Sequence, residues 1–164
     1  MAVTISGSGQ VIVKVASATQ TAVFTTASTS WVDFTGLSVT LTPTNANSKF
    51  LVKFTSGVSN DTINCFQFAK LVRNGTDISI GDAAGSVTRA SADGSFGNVG
   101  AYDVTQKPIA VNYVDSPATT SAVTYKVQVI RTLSGTSYWG RTSSTIDANR
   151  SSIASNLIVM EISG

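Results

Sequence analysis

A chain of 164 residues is long enough for one domain with one core, and its net charge of +2, with only 12% charged residues, leaves Ser and Thr, about a quarter of the chain, to keep the surface wet. The absence of His excludes Ser-His-Asp and Cys-His catalysis and removes the commonest zinc ligand. The 11 Lys and Arg are scattered with no basic block, which argues against a phosphate-binding surface; weak repulsion between copies favours self-association.

Met1-Ala2-Val3-Thr4-Ile5-Ser6-Gly7 lacks the basic and long apolar regions of a secretory signal, and no apolar run approaches the roughly 20 residues of a membrane helix. Synthesis in a cytoplasm without membrane insertion is the expectation. Residues 1–9 read as an uncharged N-terminal arm, either flexible or docked on a neighbouring subunit. Residues 10–16 open the strand pattern, with Val11, Val13 and Val15 on one side and Ile12 on the other. A second β-type run spans 20–26, and a third, beginning near Trp31, places Leu37, Val39 and Leu41 on one face before Pro43 ends it.

The turn chemistry of Thr44-Asn45-Ala46-Asn47-Ser48 precedes a strong strand in which Phe50, Val52 and Phe54 face the core and Lys49, Leu51 and Lys53 face away. Cys65 is the only cysteine, so no intrachain disulfide forms; among apolar neighbours it reads as a small buried strand residue. Residues 66–72 alternate again and meet Asn74-Gly75, the strongest short hairpin signal, before Thr76 to Ile80 return.

The pattern weakens over 81–100, where Gly interrupts small polar residues and only Val87, Phe96 and Val99 are apolar. A long loop of this kind is the expected variable contact surface. In 111–131 two strand-like runs flank Asp115-Ser116-Pro117; Val123, Tyr125, Val127 and Val129 alternate with Thr124, Lys126 and Gln128, and Asp115 reads as a turn residue. Residues 136–146 continue the order. Residues 156–162, apolar at nearly every position, read as a central strand covered on both faces.

No segment longer than a turn shows helical periodicity, and no internal repeat is evident. About eight to ten short strands predict one all-β domain over residues 1–164, an antiparallel β-sandwich resembling a jelly roll. The nine Asp and Glu mostly sit beside turn formers, so no carboxylate pair suggests a glycosidase; Asp82 and Asp93 lack calcium-loop spacing. The expectation is no enzyme, no metal and no cofactor. Candidate ligand or partner contacts are Tyr138, Trp139 and Arg141, where aromatic and cationic groups gather, together with Phe96 and Trp31; a packing role competes at each tryptophan.

Three segments carry a family resemblance: Trp31-Val32-Asp33 through Gly36-Leu37 to Ser48-Lys49-Phe50-Leu51-Val52; Tyr113-Val114-Asp115-Ser116-Pro117 through Thr124-Tyr125-Lys126-Val127-Gln128; and Leu157-Ile158-Val159-Met160-Glu161-Ile162. Together they span most of the chain and resemble small β-rich virion surface proteins of tailed phages of aquatic bacteria and cyanobacteria. That resemblance implies a sandwich, often a homotrimer, on the virion surface after synthesis in the host cytoplasm. Its role would be a capsid decoration or cement protein contacting the major capsid protein. The alternative is a tail-fibre or receptor-binding module that holds host surface glycan; a glycan-degrading spike is third. The resemblance carries no functional residues with it.

Overall fold

A computed structural model describes residues 9–62, 65–95, 106–143 and 150–164. Strict alternation of large apolar with polar residues makes extended chain with one dry face, and eleven strands form among the described residues. They are β1 (Ile12–Gln20), β2 (Phe24–Thr26), β3 (Val32–Leu41), β4 (Lys49–Asn60), β5 (Cys65–Arg73), β6 (Thr76–Ile78), β7 (Ala92–Asp93), β8 (Lys107–Asp115), β9 (Val123–Leu133), β10 (Ser137–Trp139) and β11 (Ser155–Ile162). All pairings are antiparallel. One sheet of six strands runs β1-β11-β4-β10-β2 with β8 also on β4; the other, of five, runs β3-β9-β5-β6 with β7 also on β5. The two sheets pack face to face as the β-sandwich the alternation predicts.

The core lies between β4 and β9. Phe50, Val52 and Phe54 point inward from one sheet, Val123, Tyr125, Val127 and Val129 from the other, all at 0% exposure. Phe50 meets Tyr125 across the gap with ring centroids 5.8 Å apart. Each such side chain contributes about 1.5–3 kcal/mol of burial, so these two alternating runs anchor the sandwich. Asn74 (φ 47°) and Gly75 (φ 86°) supply the two left-handed positions of the tight turn that joins β5 to β6, as expected of that dipeptide. Cys65 opens β5 fully buried, and burial pushes its thiol pKa up, which keeps it protonated and inert.

Three expectations change, in β1, at Asp115 and in β11. In β1 a bulge between Ile12 and Lys14 breaks the alternation: Ile12, Val13 and Val15 are all exposed, and Ala16 and Ala18 pack on the core instead. β3 keeps Leu37, Val39 and Leu41 on the core side as expected; its register shifts between Asp33 and Ser38, where Gly36 at φ 90° bends the chain, so that Phe34 is buried as well. The two runs of 111–131 belong to different sheets, β8 on β4 and β9 between β3 and β5. Asp115 is the last residue of β8, 3% exposed, and not a turn residue: Arg73 Nη1 donates to its two oxygens at 2.8 and 3.0 Å and the Tyr125 hydroxyl at 2.7 Å.

The third concerns β11. It is central, between β1 and β4, but the sandwich covers only one of its faces. Ser155, Leu157, Val159 and Glu161 are buried, whereas Asn156, Ile158, Met160 and Ile162 on the outer face are only half-buried.

Glu161 is a carboxylate at 0% exposure at one end of the sandwich. Its oxygens accept the Thr44 backbone N–H and, at 3.1 Å, the Thr44 hydroxyl, and Lys14 Nζ lies 3.6 Å away. Burial works to raise its pKa, but the Thr44 bonds and the Lys14 charge outweigh it and hold the carboxyl below the ordinary glutamate value. The stability this contributes is present above the unfolded-state pKa of about 4.3 and is lost as pH falls through the lower folded value. The expected result is that Glu161→Gln lowers stability at pH 7 and that the gap to the wild type closes on acidification below about pH 4, read by urea unfolding at each pH. A gap that widens towards acid would refute this assignment.

Candidate functional site

The sequence-predicted contacts do not converge. Trp139 faces inward from β10 at 0% exposure, its indole N–H bonded to Ser137 Oγ at 3.1 Å and its ring 5.9 Å from Phe34. It is a core residue, and a ligand cannot reach it in this fold; a single-residue step in a three-residue strand decides which way it points. Tyr138, its neighbour, faces outward and is half-buried. Its hydroxyl donates to Asp61 Oδ2 at 3.2 Å, and the Arg141 guanidinium sits 4.7 Å from its ring centroid. Arg141 Nη1 in turn donates to the carbonyls of Thr142 and Ser143. These two residues bond mostly to their own chain, tying β10 to the neighbouring loops. Burial, and next the Asp61 charge, push the Tyr138 hydroxyl pKa up, so it stays a donor.

Trp31 lies half-buried just before β3, on the outer side of the other sheet, with Lys70 Nζ 4.7 Å from its ring. Lys70 is also paired with Asp77 at 2.8 Å. Nearby, Asp33 accepts Lys126 Nζ at 2.8 Å and Gln128 Nε2 at 2.7 Å; the Lys126 bond foremost holds its carboxyl below the usual range. Phe96 falls outside the described residues.

Two surfaces emerge, one that the sequence does not announce and one within the 81–100 segment expected to make variable contacts. The first is the outer face of the six-stranded sheet. The register aligns Val15 with Met160, Met160 with Leu51 and Leu51 with Val114, an apolar row across β1, β11, β4 and β8. Ile158 and Ile162 flank Met160 on β11, and Val15 and Val114 at the two ends are 60% and 51% exposed. Lys49 and Lys53 are the charges that β4 adds to this face.

The second is an open groove of about 350 Å³ beside β5 on the opposite side of the molecule, lined by Phe68 and by residues of the loop between β6 and β7 with β7 itself, among them Asp82, Arg89 and Asp93. This is the part of the 81–100 segment that the structure describes. Asp82 and Asp93 share the groove, while among the described residues no three His, Cys, Asp or Glu side chains gather as a metal-holding group.

The fold and its two outer surfaces define a class: an antiparallel β-sandwich with an apolar row across one outer face and a groove on the other. No known protein family matches the chain, and no curated protein does.

Proposed function

We propose that the protein is a noncatalytic structural subunit of a larger particle that works by burying the outer face of its six-stranded sheet against a second copy of itself. The observation that carries this reading is the row Val15, Met160, Leu51, Val114, which leaves a central strand with one apolar face uncovered. Four strands at about 4.8 Å by about eight residues at about 3.4 Å give a projected area near 500 Å². Side-chain relief raises this towards the roughly 800 Å² per partner of a stable interface. Strand addition at the β1 edge is a poorer route to assembly, since the bulge at Val13 and the charge of Lys14 blunt that edge. The small net charge of +2 adds little repulsion between copies. The resemblance to tailed-phage virion proteins makes capsid decoration, resting on the major capsid protein, the setting in which this packing would serve.

Light scattering on the purified protein tests the interface. The wild type is expected to be an oligomer at tens of micromolar, and Val15→Glu with Val114→Glu to be a monomer. Both side chains are exposed in the single chain, so the double variant should keep its fold within about 1 kcal/mol. A monomeric wild type, or a double variant that stays oligomeric, would sink the reading. A receptor-binding role is the second reading, and the groove on the other sheet is the observation that favours it.

A further inference from the structure

The groove beside β5 has the chemistry of a ligand site, on the side of the molecule opposite the apolar row. It is built before any ligand arrives. Gly81 N–H donates to the Ala90 carbonyl at 3.3 Å and pinches the loop at its neck. Ser91 N–H bonds the Ala69 carbonyl at 2.9 Å, and Ser91 Oγ accepts the Leu71 N–H and donates to the Ile78 carbonyl. Further along, Gly94 N–H reaches the Gln67 carbonyl at 2.9 Å, in a place where a Cβ would stand 2.4 Å from Val58 Cγ1. The loop is thus fastened to β5 on its return, and binding would cost little ordering entropy.

Three kinds of group meet there. Phe68 turns away from the core that its neighbour Ala69 enters, and offers a half-buried aromatic surface. Arg89 is exposed, but its Nε donates to the Gly81 carbonyl at 2.7 Å, which fixes the plane of the guanidinium. None of the ion pairs among the described residues includes Arg89, although Asp82 and Asp93 line the same groove. A held guanidinium without a carboxylate partner is suited to a planar anion, which it binds with two parallel N–H bonds. Asp93 Oδ1 already accepts the Ser95 N–H at 2.7 Å, which leaves its other oxygen and the Asp82 carboxylate as acceptors for hydroxyl donors. A flat apolar surface, a forked cation and nearby carboxylate acceptors match a pyranose ring with a carboxyl substituent: its C–H face lies on the aromatic, its carboxylate meets the cation and its hydroxyls donate to the aspartates.

We infer that this groove binds the acidic sugar units of a polysaccharide. Its volume of about 350 Å³ lies in the lower part of the roughly 300–1,000 Å³ range of small-ligand pockets, enough for one or two rings. Its open form lets a polymer run on past either end, and an enclosed cavity would not. This goes beyond the proposed assembly role and rests on the other sheet, so either can fail without the other.

The test is a titration of ¹⁵N-labelled protein at low salt with trigalacturonic acid, neutral maltotriose and free glutamate, following amide shifts. Trigalacturonate is expected to shift the Phe68, Arg89 and Asp93 amides saturably, and maltotriose at least about tenfold more weakly. Arg89→Gln is expected to bring trigalacturonate down to the level of maltotriose, with Arg89→Lys between, and both melting with the wild type because Arg89 is exposed. Equal binding of the neutral sugar, an unchanged Arg89→Gln, preference for glutamate, or no shift at about 10 mM ligand would each overturn the inference.

Discussion

Trp139→Ala is expected to cost about 3–5 kcal/mol of folding stability, the range for emptying a large aromatic from a packed core. The indole is at 0% exposure and stands edge-on to Phe34, which itself stacks on Phe24 at 4.7 Å and meets Phe54 at 6.4 Å. These four rings come from β2, β3, β4 and β10, so one truncation loosens contacts on both sheets. Two of those strands are only three residues long, and β10 is the strand that joins β2 to β4. Their few backbone bonds cannot hold them without side-chain packing. Urea unfolding should show the loss in the midpoint, whereas Trp139→Phe should retain more than half of it by keeping a ring in the space. A loss below about 1 kcal/mol for Trp139→Ala would mean that the ring is not enclosed as described. Any loss of binding in Trp139→Ala would report unfolding, since the indole is enclosed in the core.

The parts of this molecule that were legible in its sequence are those where a local rule repeats over several residues. β4 and β9 each alternate long enough for the parity to be unambiguous, and both bury the residues the alternation selects. Asn74-Gly75 names its own turn because two adjacent residues must have positive φ. Where the repeat is short or broken, the reading fails for an identifiable reason. Ser137-Tyr138-Trp139 is too short to show parity, and the extra residue at Val13 inverts the side of everything before it. The apolar run of β11 marks a central strand, but only the register with β1 and β4 shows that its second apolar face stands open. The groove was legible only as a long loop, since Phe68 and Arg89 are brought together by hydrogen bonds of loop backbone to β5 that no residue pattern announces.

The two surfaces also constrain each other. If the apolar row is buried against another copy, the five-stranded sheet, with Trp31, the Asp33, Lys126 and Gln128 cluster and the groove, is left facing outward. Under the proposed assembly, the side that carries the groove would face solvent. Assembly and recognition would then occupy opposite sides of one sandwich.

Asp115→Ala is expected to be the most damaging substitution of a charged residue, at about 3–5 kcal/mol. Asp115 is 3% exposed at the end of β8 in one sheet, and it takes its bonds from Arg73 at the end of β5 and Tyr125 of β9 in the other, so the cluster fastens the two sheets together. Burial, then the Asp115 carboxylate, push the Tyr125 hydroxyl far above the ordinary phenol range, so it remains a donor to that carboxylate. Removing the carboxylate leaves a partly buried guanidinium without its counter-charge and a fully buried hydroxyl without an acceptor; both penalties fall on the folded state alone. Asp115→Asn restores an acceptor for Tyr125 but not the charge, and should cost roughly half as much. Tyr125→Phe loses one hydrogen bond and strands an acceptor that Arg73 still satisfies, so about 1 kcal/mol is expected. The order Ala, Asn, Tyr125→Phe, from most to least damaging, is the signature of a charge-centred lock. If Asp115→Ala and Tyr125→Phe cost the same in urea unfolding, the Arg73 bond contributes nothing and the lock is only a hydrogen bond. For a charge-centred lock, a double-mutant cycle between Arg73→Met and Asp115→Ala reads a coupling well above 1 kcal/mol, since Arg73→Met removes the stranded cation that makes the single Asp115→Ala change so costly.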